Sequence, residues 1–200
     1  GLWTAPYNSM AVAVSGGGKM TVNSGTYSAV PKEVADGSNQ GTSHGSWTGG
    51  VMSSGGTLII NGGTFSNGNI GGTAATNPRE LFIVGADADY GDNVNGQVII
   101  NGGTFTSIGD FIHCETIWGS ANDSANDYMP TMGVTITAGD FTAVAGKTIG
   151  GCDPVSTGNP VDVEISGGTY GANHAIDDSY LVVGYIVVDN GNGTHSVVED

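Results

Sequence analysis

The chain has 200 residues, 36 of them glycine, and carries 4 basic against 19 acidic side chains, for a formal net charge of −15 at pH 7. This balance excludes a nucleic-acid-binding protein, because phosphate binding needs a basic surface that so few Lys and Arg residues cannot provide. No apolar run reaches the roughly 18–20 residues of a transmembrane helix, and an apolar fraction of 38% is too high for a disordered chain. We therefore predict a single folded domain, 1–200, without membrane insertion.

The segment 1–19 contains the alternating sequence Ala-Val-Ala-Val at 11–14. An alternation of period two is typical of a half-buried β-strand. We predict that this segment forms a partial coil or an N-terminal cap of the structure that follows.

The region 20–184 contains five gapless copies of an eight-residue motif, with apolar residues at positions one and three, Gly at position six and an aromatic residue at position eight. The copies are 20–27, 58–65, 98–105, 134–141 and 163–170. Their starts are unequally spaced, which is typical of parallel strands that stack in register while the turns between them vary in length. The motif predicts an all-β fold, a right-handed parallel β-helix (β-solenoid) of about five coils.

The motif also predicts the core, because the alternation of a strand places positions one and three on one face. The aromatic residues of position eight are expected to stack as one internal column: Tyr27, Phe65, Phe105, Phe141 and Tyr170. The glycines of position six suit a turn with positive φ: Gly25, Gly63, Gly103, Gly139 and Gly168. We expect the polar residues at positions four and seven to form hydrogen-bonded ladders along that turn.

Polar loops separate the copies, and four of their aromatic residues are candidate ligand-binding residues: Trp47, Tyr90, Trp118 and Tyr128. Exposed rings stack on sugars, so these residues indicate a glycan platform. The alternative is that the rings pack over the strands as lids.

An acidic loop follows 81–84, which is a candidate for an inserted strand. Asp87, Asp89 and Asp92 place three carboxylates within six residues. Calcium takes oxygen ligands of this kind, so the loop is a candidate calcium site and the only cofactor site predicted. The alternative is a solvated turn.

The two cysteines occupy similar places after their motif copies. Cys114 lies sixteen residues after the start of its copy and Cys152 eighteen residues after its own. His113 does not suit the role of base for Cys114, because neighbours on a strand face opposite sides. We predict that the two cysteines share a column on adjacent coils with Cα atoms about 5 Å apart, within disulfide range. A disulfide between coils and a pair of buried free thiols both fit this placement.

The region 185–198 contains two β-rich runs around Asn-Gly-Asn-Gly. This pattern predicts an antiparallel hairpin that closes the end of the stack.

The repeated Ile-x-Gly-Gly-Thr-Phe motif and the closing sequence from Tyr180 to Thr194 resemble the β-helical repeat regions of large surface proteins in anaerobic Gram-positive bacteria. The resemblance covers roughly 20–198. It implies an extracellular or cell-surface location and an adhesin-like role, with a glycan or cell-surface partner. The chain is more distantly similar to the pectate-lyase-type fold, which includes lyases, hydrolases and non-catalytic glycan binders.

The leading hypothesis is a non-catalytic structural or adhesive module that displays its loops for surface or glycan recognition. The second hypothesis is a carbohydrate-active enzyme. Its acidic groups would be Asp110, Asp140, Asp177 and Asp178. A hydrolase is favoured over a lyase, because a chain of this charge repels polyuronates. The third hypothesis is a filament or phage-fibre subunit that associates end to end.

Overall fold

The computed structural model describes residues 12–15, 17–29, 51–54, 56–67, 82–87, 96–107, 111–117, 132–146, 149–152, 161–172 and 176–200. Within these ranges the regular elements are β-strands, apart from a 3-10 turn at Asp178–Tyr180. No helix in the described part of the chain is long and apolar enough to cross a lipid bilayer.

The first fifteen strands follow one another in five rounds of three, one strand for each of three sheets. The rounds are β1 (Val12–Ser15), β2 (Lys19–Val22), β3 (Thr26–Ala29); β4 (Val51–Ser54), β5 (Thr57–Ile60), β6 (Thr64–Asn67); β7 (Phe82–Asp87), β8 (Gln97–Ile100), β9 (Thr104–Ser107); β10 (Ile112–Ile117), β11 (Met132–Ile136), β12 (Asp140–Val144); and β13 (Ile149–Cys152), β14 (Val161–Ile165), β15 (Thr169–Gly171). The strand predicted at 81–84 thus corresponds to β7, a regular member of its round.

Sheet A collects the first strand of each round, sheet B the second and sheet C the third. Neighbouring strands of these rounds are parallel in all three sheets. The register follows the motif: Ile59 pairs with Thr21 on one side and with Ile99 on the other. The prediction of an all-β chain with stacked parallel strands is confirmed.

The core receives side chains from all three sheets. Sheet B contributes positions one and three of the motif, and Leu58, Ile60 and Ile100 are fully buried. They belong to one apolar cluster that also contains Val12 from sheet A and Phe65 from sheet C. The five rounds therefore share one hydrophobic interior.

The aromatic residues of position eight form one column in sheet C. Successive ring centroids lie 4.9, 5.4, 4.9 and 4.8 Å apart, with interplanar angles of 14°, 15°, 6° and 10°. The spacing matches the separation of neighbouring strands, about 4.8 Å. Phe111 packs edge-on against Phe105 and Phe141, at 5.0 and 4.7 Å. The column predicted from the motif is present, and it extends from Tyr27 to Tyr170.

The two ends of the stack differ. At the end formed by the last round, sheet C continues into an antiparallel hairpin of β17 (Thr194–Glu199), which pairs with β15, and β16 (Tyr185–Asp189), which pairs with β17. Val197 is buried, and Leu181 extends sheet B by a bridge to Ile165. At the other end Met20 is 36% exposed, although its equivalent Leu58 is fully buried. The predicted closing hairpin is confirmed, and it covers one end of the core.

Candidate functional site

A three-residue corner joins sheet B to sheet C in every round. It occupies positions four to six of the motif: 23–25, 61–63, 101–103, 137–139 and 166–168. The last glycine of each corner has positive φ, +119° at Gly103. A Cβ there would lie 3.0 Å from the Phe105 ring and 3.1 Å from the Gly63 carbonyl oxygen. Only glycine fits both the backbone angle and the space, which explains why position six is Gly in all five copies.

A polar ladder runs along these corners at position four. The side-chain amide of Asn61 donates to Oδ1 of Asn23 (2.8 Å), and that of Asn101 donates to Oδ1 of Asn61 (2.9 Å). The hydroxyl of Thr137 continues the ladder to Oδ1 of Asn101 (3.0 Å). Each bond joins neighbouring rounds, so the ladder fixes the vertical register of the corners.

Position seven does not belong to the turn, and that part of the sequence interpretation was wrong. Its residues begin the strands of sheet C and pair with one another across the sheet. With the hairpin residue that continues the row, they form what we call the hydroxyl row, which contains five hydroxyl side chains and one carboxylate: Thr26, Thr64, Thr104, Asp140, Thr169 and Ser196. Thr26, Thr64 and Thr104 are exposed because their strand neighbours at position eight face the core.

Two of the four carboxylates proposed for hydrolysis accept local hydrogen bonds. Oδ1 of Asp140 accepts from the N–H (3.0 Å) and the hydroxyl (2.6 Å) of Thr142. Asp177 precedes the 3-10 turn, and hydrogen bonds from the side chain and the backbone N–H of Ser179 hold the pKa of its carboxyl below the ordinary value. A general acid needs a raised pKa, so Asp177 is unsuited to that role. Asp178 is exposed within the turn, and Asp110 lies outside the described residues.

The candidate calcium ligands are only partly covered by the structure. Asp87 is the last residue of β7, whereas Asp89 and Asp92 lie outside the described residues. Among the residues that the structure describes, no group of three His, Cys, Asp or Glu side chains could hold a metal ion. The calcium site stays a prediction.

The four candidate aromatic residues fall in ranges between strands. Trp47 lies between β3 and β4, Tyr90 between β7 and β8, and Trp118 and Tyr128 between β10 and β11. All four lie outside the described residues, so their role in ligand binding stays a prediction.

The cysteines are register partners. Cys114 in β10 pairs with Cys152 in β13, the neighbouring parallel strand of sheet A. The predicted shared column therefore corresponds to a direct pair in the sheet.

The described surface thus offers the hydroxyl row, five hydroxyl groups and the Asp140 carboxylate on strands about 4.8 Å apart. Such a row can donate hydrogen bonds to and accept them from a polar ligand. No family model, no curated protein and no solved structure matches the chain.

Proposed function

We propose that the chain winds as a right-handed parallel β-helix and acts as a non-catalytic extracellular module that displays loops for the recognition of glycans or cell surfaces. The winding is supported by the order of the strands, which visit sheets A, B and C in turn, and by the single apolar cluster that the three sheets share. Right-handedness is the expected sense, because crossover connections between parallel strands are right-handed in nearly all proteins.

The observation that carries the functional proposal is a contrast in connection length. The corner from sheet B to sheet C has three residues in every round, whereas the other connections vary widely. Those from sheet C to sheet A are 30–50, 68–81, 108–111 and 145–148, and those from sheet A to sheet B are 16–18, 55–56, 88–96, 118–131 and 153–160. A rigid scaffold with variable connections is the usual arrangement of a recognition module.

The chemistry of the chain favours a neutral, hydroxyl-rich ligand. A net charge of −15 repels polyanions such as nucleic acids and polyuronates. The long connections carry the aromatic candidates that suit sugar stacking, and the hydroxyl row supplies polar groups on the described strands of sheet C. The local bonds of Asp140 and Asp177 argue against their use as an acid–base pair.

The test is a glycan-array screen of the full chain combined with an assay for reducing-sugar release from the same polysaccharides. We expect binding to neutral glycans without turnover, and weaker binding when Trp47 and Trp118 are replaced by Ala. Glu164→Ala is the control, because Glu164 is exposed on sheet B and belongs neither to the aromatic candidates nor to the hydroxyl row. Hydrolysis that is lost in Asp140→Ala would establish an enzyme instead, and absence of binding to every glycan would contradict the recognition role.

A further inference from the structure

Among the described residues, the last strand of sheet A has no strand or bridge beyond it, unlike the last strands of the other two sheets. Within the described residues, β13 is the outermost strand of sheet A, whereas sheet B is extended by Leu181 and sheet C by the hairpin. It has four residues, Ile-Gly-Gly-Cys, and glycine in a strand lowers its stability. In the described part of the chain this edge strand has one strand neighbour, β10.

The register of β10 and β13 changes within the strand pair. Ile112 pairs with Ile149, but His113 pairs with Gly151 and Cys114 with Cys152. One extra residue therefore lies in β13 between Ile149 and Gly151, as in a β-bulge. If the register of Ile112 and Ile149 continued unchanged along the two strands, Cys152 would pair with Glu115. Glu115 lies on the face of the sheet opposite to that of Cys114. The bulge is what brings Cys152 level with Cys114.

A second bulge acts in the same direction one sheet earlier. Asp140 pairs with Thr104, but Ala143 pairs with Thr106, so β12 also holds one extra residue. Val98 and Val134 are register partners in sheet B. Cys114 lies sixteen residues after Val98, and Cys152 lies eighteen residues after Val134. The two extra residues in β12 and β13 account for this difference of two. The bulges in β12 and β13 therefore bring Cys114 and Cys152, the only two cysteines in the chain, into register.

We propose that Cys114 and Cys152 form an intramolecular disulfide that staples β13 to β10. Register partners in neighbouring parallel strands share a face of the sheet at about 4.8 Å, which is within the Cα separation that disulfides span. The bond closes the stretch of chain that contains β11 and β12, so it restricts the unfolded chain and stabilises the folded one. This inference rests on strand register and is independent of the proposed glycan recognition.

The bond forms by thiol–disulfide exchange with a low-molecular-weight disulfide such as oxidised glutathione. One cysteine thiolate attacks the glutathione disulfide, forms a mixed disulfide and releases one glutathione thiolate. The second cysteine thiolate attacks the protein sulfur of the mixed disulfide, closes the protein bond and releases the second glutathione. Two protein thiols are oxidised and one glutathione disulfide is reduced to two glutathione thiols, which take up the two protons that the protein thiols lose.

The experiment exposes the reduced, folded full chain to oxidised glutathione, blocks residual thiols with iodoacetamide in denaturant and measures the intact mass. We expect a monomer lighter than the reduced chain by two hydrogen atoms, with no alkylation, and a proteolytic digest in which the peptides of Cys114 and Cys152 remain joined. Two alkylated thiols, two glutathione adducts or a disulfide-linked dimer would each overturn the proposal.

A thermal melt gives an independent measure. The oxidised chain should melt roughly 10 °C above the reduced chain, given a disulfide of ordinary strength in a domain of this size. Cys114→Ala is the control, and its melting temperature should not respond to the thiol–disulfide treatment. If this variant does not fold, Cys152→Ser serves in its place. Equal melting of the oxidised and reduced wild-type chains would contradict a stabilising staple.

Discussion

The corner between sheets B and C and the edge of sheet A follow opposite rules. At the corner, five rounds repeat the same three-residue turn, the same positive-φ glycine and the same ring stacked on the ring of the previous round. The strands of sheet A share no motif, are reached through connections of unequal length, and end in a pair whose register shifts. The alignment of successive rounds is thus set at the corner between sheets B and C, and sheet A and the connections on either side of it vary in sequence and length.

The largest effect is expected from an insertion at the corner. One Ala placed between Gly103 and Thr104 shifts β9 by a residue and moves Phe105 from the core face to the solvent face. We expect the free energy of unfolding to fall by more than about 4 kcal/mol, measured by urea denaturation. The same insertion after Ala125, in the connection between β10 and β11, should cost less than about 1 kcal/mol. Equal losses at the two sites would refute the comparison.

The next largest loss of stability is expected when a ring is removed from the aromatic column. Phe105 is fully buried between Phe65 and Phe141, so Phe105→Ala should lower the free energy of unfolding by about 3–5 kcal/mol. Tyr27 is half-buried and stacks on Phe65 at the exposed end, so Tyr27→Ala should cost less than about 2 kcal/mol. A larger loss at Tyr27 than at Phe105 would show that the column is not a continuous support.

Glycine substitutions separate the corner from the hairpin turn. Gly103→Ala places a Cβ against a ring and a carbonyl oxygen at φ +119°, and should destabilise the fold by about 1–3 kcal/mol. Gly191 has φ +73° and open space around it, so Gly191→Ala should cost about 1 kcal/mol. Denaturant midpoints of the two variants give the ranking, and a tolerated Gly103→Ala would remove the steric explanation of position six.

The smallest effect appears at alkaline pH. Burial raises the pKa of Tyr170, whose hydroxyl donates to the Gly167 carbonyl oxygen at 2.9 Å. In the unfolded chain a tyrosine ionises near pH 10, whereas the buried Tyr170 keeps its proton to higher pH. The contribution of Tyr170 to the free energy of unfolding is therefore fully present below about pH 10 and decreases as the pH rises above it. Tyr170→Phe keeps the ring and should reduce this alkaline loss in melts recorded from pH 8 to pH 11. If Tyr170→Phe loses stability at alkaline pH as steeply as the wild-type chain does, groups other than Tyr170 cause that loss.

The sequence predicts the repeated parts of this fold and, from its own turn pattern, the closing hairpin, but it misses the irregularities in strand register. The ring column and the corner glycines follow from alignment alone, since one backbone geometry demands the same residue types five times. Position seven was assigned to the turn because Thr suits turns and strands alike, and only strand pairing shows that Thr64 begins β6. The extra residue near Gly150 leaves no signal in the sequence, because a bulge is visible only relative to the neighbouring strand.

In the candidate site, too, the sequence predicts which residues lie near one another but not their exact register or hydrogen bonds. The pairing of Cys114 with Cys152 was anticipated from their similar distances to the motif, but the two-residue discrepancy had no explanation without the register of β12 and β13. The local bonds of Asp140 and Asp177 were also invisible in the sequence, because their partners are chosen by backbone geometry.

The bulges in β12 and β13 have a further consequence for how such a chain tolerates change in length. Each bulge accommodates one extra residue within its own strand, so that the residues after it pair with their counterparts in the neighbouring strand. An extra residue inside β12 or β13 is therefore accommodated within that strand, unlike an insertion at the corner. Such a chain can hold an extra residue inside a strand of sheet C or sheet A without losing the pairing of the strands that follow.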